Sequence, residues 1–126
     1  MLKGIGTDIL KIEKLMPVFS DPDYLKDPFI LRTFTPDEIA LAESRPVPIN
    51  CYATRFAGKE AVFKALTLNG SDARLLEIEI LSDETGKPYV LLHGLAKETA
   101  KKREISQLLI SLSYETNYAV AFAAAE

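Results

Sequence analysis

Tryptophan is absent, and cysteine and histidine occur once each, as Cys51 and His93. A single cysteine excludes an internal disulfide, which fits a reducing compartment. Cys51 reads as a small hydrophobe flanking a helix. With one cysteine and one histidine, no His/Cys zinc spacing can be written. No run approaches the ~18 apolar residues of a membrane span. The start mixes one lysine with glycines and an aspartate and does not resemble a signal peptide. The expectation is a cytoplasmic protein without a membrane segment. Positive charge is not in excess: Lys and Arg total 15 against 18 Asp and Glu, a net charge of -3. That argues against a broad nucleic-acid surface but leaves room for a local basic patch. Also missing are the Gly-x-x-x-x-Gly-Lys-Ser/Thr loop, the Gly-x-Gly-x-x-Gly turn and the Gly-x-Ser-x-Gly elbow. P-loop hydrolysis, dinucleotide redox chemistry and zinc chemistry are disfavoured.

What remains is an ordinary globular composition, 48% hydrophobic and 26% charged over 126 residues. That suffices for one domain, residues 1–126, with its own core. Leu2 to Leu10 reads as a strand. Lys11 to Phe19 carries a short helical stripe of Ile12, Leu15, Met16 and Phe19. Ser20 to Pro28 reads as a polar loop. Thr35, Pro36 and Glu38 form a helix start with a capping box, and that helix ends before Pro46. Tyr52 to Leu66 is the strongest helix, with Tyr52, Phe56, Val62, Phe63 and Leu66 on its apolar face. Leu75 to Leu81 and Pro88 to His93 read as strands about the turn Asp83–Lys87, and Gly94 to Arg103 as a basic helix. Gln107 to Tyr114 and Tyr118 to Ala124 read as a closing hairpin. This order implies an α+β fold, a mostly antiparallel sheet packed with a long central helix.

Two acidic residues stand where a fold would avoid them. Asp8 lies in the opening strand, and Glu60 shares a helix stripe with Phe56 and Phe63. A half-buried carboxylate is costly unless a cation or several donors satisfy it. Two carboxylates from distant segments could hold one hard divalent metal and leave positions for phosphate oxygens. The plainer alternatives are a Glu60–Lys64 surface pair at helical spacing and a strand-end role for Asp8. Gly86-Lys87-Pro88 is either an ordinary turn or a lysine and a rigid proline presented to a nucleotide. Ser111 and Ser113 share one strand face, as solvent-facing hydroxyls or as phosphate donors, while Leu112 and Tyr114 share the other. His93 reads as structural or simply exposed.

Taken in order, these pieces resemble the holo-acyl-carrier-protein synthases, the small 4'-phosphopantetheinyl transferases. The resemblance rests on Gly4-Ile5-Gly6-Thr7-Asp8-Ile9, on Arg55-Phe56-Ala57-Gly58-Lys59-Glu60-Ala61 followed by Lys64-Ala65, on Ile78-Glu79-Ile80 and Gly86-Lys87-Pro88, and on Ser111-Leu112-Ser113-Tyr114 with Tyr118-Ala119-Val120-Ala121. It implies transfer of the 4'-phosphopantetheine arm of coenzyme A to a serine of an apo acyl carrier protein, releasing adenosine 3',5'-bisphosphate. It implies Mg²⁺ held by Asp8 and Glu60, Lys64 neutralising phosphate charge, and Glu60 helping to deprotonate the serine. Gly86, Lys87, Pro88, Ser111, Ser113 and Tyr114 fall in the coenzyme A-binding segments, and Lys11 and Lys14 in the region that docks the acidic carrier. It further implies a homotrimer with each site built between two subunits, serving fatty acid biosynthesis.

The chain departs from that pattern at several points. Tyr114 replaces a histidine, Thr67-Leu68-Asn69-Gly70 replaces a glycine-rich segment, Lys14 replaces an arginine, and Gly58 replaces an alanine. A non-catalytic homologue that binds carrier or coenzyme A, and a small metal-dependent phosphohydrolase, are the alternatives.

Overall fold

Eight residues of opening strand run antiparallel to the last strand of the chain, so the two ends of the sequence close one sheet. The computed structural model describes residues 1–126. Strand β1 (Gly4–Lys11) pairs with β5 (Tyr118–Ala125), which also pairs with β4 (Leu108–Tyr114), giving the order β1-β5-β4. A separate antiparallel pair joins β2 (Ile78–Ser82) to β3 (Pro88–Leu92). The expected antiparallel sheet is thus divided in two. Helices α1 (Met16–Phe19), α2 (Pro28–Thr33) and α3 (Pro36–Glu43) precede the long helix α4 (Pro48–Ala65), and α5 (Gly94–Lys102) follows β3.

Helix α4 lies against β1 and β5. The match is one of small residues. Ala53, Ala57, Ala61 and Ala65 recur every four positions along α4, and Ala119, Ala121, Ala123 and Ala125 alternate along β5; all eight are fully buried. On β1 the same role falls to Gly4 and Gly6, where an added Cβ would lie 1.9 Å from the carbonyl oxygens of Ala65 and Ala61. Side chains alternate across a strand, so Gly4, Gly6 and Asp8 all face α4. The aromatic positions expected on the helix face split: Tyr52, Val62 and Leu66 are buried, whereas Phe56 and Phe63 are only half-buried. The alanine stripe, and not the aromatic one, meets the three-stranded sheet, because backbones this close leave no room for larger groups.

Two local expectations change. Lys11 to Phe19 is a 3₁₀ turn (Ile12–Leu15) and then the single turn α1. Pro17 has no N–H to return to the preceding turn, so a continuous helix cannot form there. Residues Leu75 to Glu77, expected as strand, form another 3₁₀ turn before β2. The expected loop from Ser20 to Pro28 holds one 3₁₀ turn (Tyr24–Lys26), and the six-residue helix α2 starts at its end, with Asp27 Oδ1 accepting from the N–H of Phe29 at 2.8 Å and Pro28 at the first position. The capping box at Thr35 and Glu38 forms in both directions.

Candidate active site

Asp8 sits at the seam between β1 and α4, one strand repeat beyond the glycines that let the helix approach. Lys64 reaches across from α4: its Nζ donates to the Thr7 carbonyl at 2.9 Å and lies 3.4 Å from Asp8 Oδ1. The Glu60–Lys64 pair suggested by helical spacing does not form; Lys64 turns to the strand instead. Glu60, one turn before Lys64, is half-buried. Burial, and then the nearby Asp8 carboxylate, push its pKa above the ordinary glutamate range, with Lys64 opposing. Glu60 therefore lies within the field of the Asp8 carboxylate across the seam. Their donor set is oxygen only, with no histidine or thiol, which suits a hard ion such as Mg²⁺ and not zinc. Two such carboxylates would leave positions on a hard ion open to water or phosphate oxygens.

The other flank of α4 holds a second group. Arg45, Asn50, Thr54, Arg55 and Tyr114 line a cleft of about 210 Å³. Next to it, Gly86, Pro88 and Leu112 join Thr54, Arg55 and Tyr114 around a space of about 140 Å³. The Arg55 guanidinium donates to Ser82 Oγ at 2.6 Å and to Thr54 Oγ1 at 3.3 Å, while its Nε is buried without a partner. Gly86 takes φ +88°, the left-handed conformation that glycine enters freely. Asp83 holds this turn by accepting from Thr85 and from the Lys87 N–H, and those bonds keep its carboxyl below the usual range. Lys87 itself is exposed.

Ser111 and Ser113 lie on the outer face of the sheet, away from α4, opposite Phe122 and Val120 of β5. They are not brought to Gly86 and Pro88, because strand alternation sends them to the other side from Tyr114's neighbour Leu112. Ser113 and Tyr114 instead border an outer groove with Ile9, Glu115, Tyr118 and Val120. Lys11 and Lys14 are exposed beyond the end of β1, and Lys11 is partly neutralised by Glu13 at 2.9 Å.

Among the departures, Gly58 has a local reason. A Cβ there would lie 2.7 Å from Ile80 Cδ1 and 3.0 Å from Leu112 Cδ2. Thr67 takes φ +52°, a conformation that costs a β-branched residue about 1–2 kcal/mol.

Sequence reasoning missed a buried polar cluster. Lys59 and Glu38 are fully buried, with Lys59 Nζ 2.7 Å from Glu38 Oε1. Burial pulls the Lys59 pKa down and Glu38 opposes that; three acceptors surround Nζ, the number an ammonium can serve. Beside them Glu79 accepts from Thr35 Oγ1 at 2.5 Å and contacts His93 Nε2 at 3.0 Å. Burial pushes Glu79 up, but those hydrogen bonds outweigh it and hold the carboxyl below its usual range. One signal was available: Tyr52, Lys59 and Leu66 recur every seven residues, which places Lys59 on the buried stripe.

Residues 4–123 match the family model of the 4'-phosphopantetheinyl transferase superfamily. The chain belongs to that superfamily. A holo-acyl-carrier-protein synthase of Desulforudis audaxviator is 39% identical over 125 residues, covering 99% of this chain and 93% of the relative. One from Alkaliphilus oremlandii is 41% identical, covering 99% of each. Among solved structures, the holo-acyl-carrier-protein synthase of Neisseria meningitidis superposes with a TM-score of 0.85 at 30% identity, covering 100% of this chain and 99% of that one. The Helicobacter pylori enzyme in complex with coenzyme A superposes with a TM-score of 0.81 at 28% identity, covering 97% of this chain and 99% of that one. The resemblance and the α+β fold read from the sequence are thus borne out.

Proposed function

We propose that residues 1–126 form one catalytic domain that moves 4'-phosphopantetheine from coenzyme A to a serine of an apo acyl carrier protein in the cytoplasm. The observation that carries this reading is the seam of Asp8, Glu60 and Lys64: two carboxylates from β1 and α4 beside a lysine that spans them. The names of the relatives supply the substrates. The serine hydroxyl attacks the β-phosphorus of coenzyme A. The bond from that phosphorus to the bridging oxygen breaks, and adenosine 3',5'-bisphosphate leaves. The serine proton passes to Glu60, directly or through water. Lys64 offers positive charge to the phosphates. Mg²⁺, when bound, would be held by Asp8 and Glu60 and would neutralise charge on the pyrophosphate.

Arg45 and Arg55 give the second cleft the charge to receive the remaining phosphates, with Tyr114, Gly86 and Pro88 beside them. Because the two groups occupy opposite flanks of α4, a complete site is best formed between neighbouring copies, as in a homotrimer. The outer sheet face supports this: Ile5, Ile9, Leu109, Val120 and Phe122 are each at least 40% exposed on it, with Ile9 directly opposite Val120 and Phe122 between Thr7 and Ser111. A monomer rarely leaves so many large apolar side chains on one face to water. Ser111 and Ser113 would then lie at the subunit seam, and Lys11 and Lys14 would meet the acidic carrier.

The test is intact-mass spectrometry of an apo acyl carrier protein incubated with the chain, coenzyme A and Mg²⁺. A gain of one phosphopantetheine, lost on adding a chelator, establishes the reaction. A non-catalytic homologue is the second reading, favoured by Tyr114 in place of the expected histidine. Carrier binding with no mass gain would establish it.

A further inference from the structure

The Glu38–Lys59 pair does more than neutralise itself. Strand β2 has β3 on one side and no strand on the other. On that open edge the Ile80 N–H donates to Glu38 Oε2 at 2.8 Å, and the Ile78 carbonyl accepts from Lys59 Nζ at 2.5 Å. One acceptor and one donor, spaced to meet residues i and i+2, are what a neighbouring strand would present. The pair stands in for that strand. Its remaining bonds reach further: Lys59 also donates to the Leu75 carbonyl at 3.1 Å, and Glu38 Oε1 accepts from the Thr35 N–H at 2.9 Å. Every Lys59 proton and both Glu38 oxygens are used.

This arrangement locks α4 in place. Lys59 ties the middle of the helix to β2, to the first turn of α3 and to the 3₁₀ turn before β2. The glycines of β1 clamp the opposite side, where Ala61 and Ala65 lie against the strand. The residue after Lys59 is Glu60. Buried ion pairs are weak sources of net stability but strong constraints on geometry. We propose that Lys59 and Glu38 are positioning residues for the candidate active site: by supplying the missing edge of β2 they fix the rotation of α4 that brings Glu60 to Asp8. This rests on the functional reading above in assigning Glu60 and Asp8 a shared metal, but the placement of α4 can be tested without the reaction.

The experiment compares wild type with Lys59→Met and Glu38→Gln, beside Ile30→Ala as a control that loses stability from a buried cluster of Ile30, Phe34, Ala42, Cys51 and Tyr52. All are assayed at a temperature where circular dichroism shows them folded. Mn²⁺ binding, followed by electron paramagnetic resonance without coenzyme A or carrier, reads the two carboxylates directly. Transfer kinetics are measured in parallel. Expected for the two positioning variants is an affinity for Mn²⁺ about tenfold weaker and a matching fall in kcat, with KM for coenzyme A within about twofold. Ile30→Ala should match wild type in both. Folded Lys59→Met or Glu38→Gln that binds Mn²⁺ and turns over like wild type overturns the proposal, as does a wild type that binds no Mn²⁺. Should Lys59→Met not fold, Glu38→Gln decides. If wild type binds Mn²⁺ and the variants bind it less tightly but nothing transfers phosphopantetheine, the positioning stands and the proposed reaction falls.

Discussion

Gly6 on β1 lies so near Ala61 on α4 that a methyl group added to it would sit 1.9 Å from the Ala61 carbonyl oxygen. The obstacle is backbone and cannot rotate away. Gly6→Ala should therefore push α4 off the sheet and cost about 3 kcal/mol or more. Thermal unfolding measures this, and a variant that melts within a degree of wild type would refute the close packing.

The seam carboxylates should matter for activity and not for the folded structure. Asp8→Ala and Glu60→Ala are expected to lower phosphopantetheine transfer by ~100-fold or more while circular dichroism stays unchanged. Near-normal transfer in either variant removes that residue from the metal site.

Lys64 bonds to Thr7 and Asp8, whereas Lys11 pairs with Glu13. Lys64→Ala should reduce kcat/KM for coenzyme A by roughly tenfold or more, the worth of a charged hydrogen bond, and alter carrier affinity little. Surface plasmon resonance with apo carrier separates the two effects. The reverse order would make Lys64 part of the docking surface.

Tyr114→His should leave transfer unchanged or raise it, since tyrosine borders both the arginine cleft and the outer groove and fills a position where the family resemblance expects histidine. Collapse of activity in steady-state assays would give Tyr114 a role of its own.

Two carboxylates should give pH effects of opposite sign. Glu79 titrates lower folded than unfolded, so its contribution is present above the unfolded pKa and is lost as pH falls through the folded value. Glu79→Gln should therefore destabilise most at neutral pH and least near pH ~3. Glu60 titrates higher folded than unfolded, so its penalty is absent at low pH and grows as pH rises through the ordinary carboxylate range. In metal-free protein Glu60→Gln should raise the melting temperature at neutral pH, and Mg²⁺ should stabilise only wild type. Melting curves between pH ~3 and ~8 check both signs.

The sequence made the seam visible because its parts are local. Glycines two apart before Asp8, and Glu60 between half-buried aromatics, are patterns within one strand and one helix. The capping box was legible for the same reason, and it concealed the rest: Glu38 was fully explained by Thr35, so nothing called for a second partner at Lys59, 21 residues away. Helix α2, with six residues, is too short to show a period. The division of the strands into two sheets depends on which edge each strand offers, and the ion pair on β2 settles that only in three dimensions.

The placement of functional groups on opposite flanks of α4 bears on inheritance. On the shared-site reading, a cell carrying one copy damaged at Glu60 and another damaged at Arg55 would still assemble some sites whose two halves come from intact flanks. Such alleles, each inactive alone, would complement one another, whereas two alleles damaged on the same flank would not.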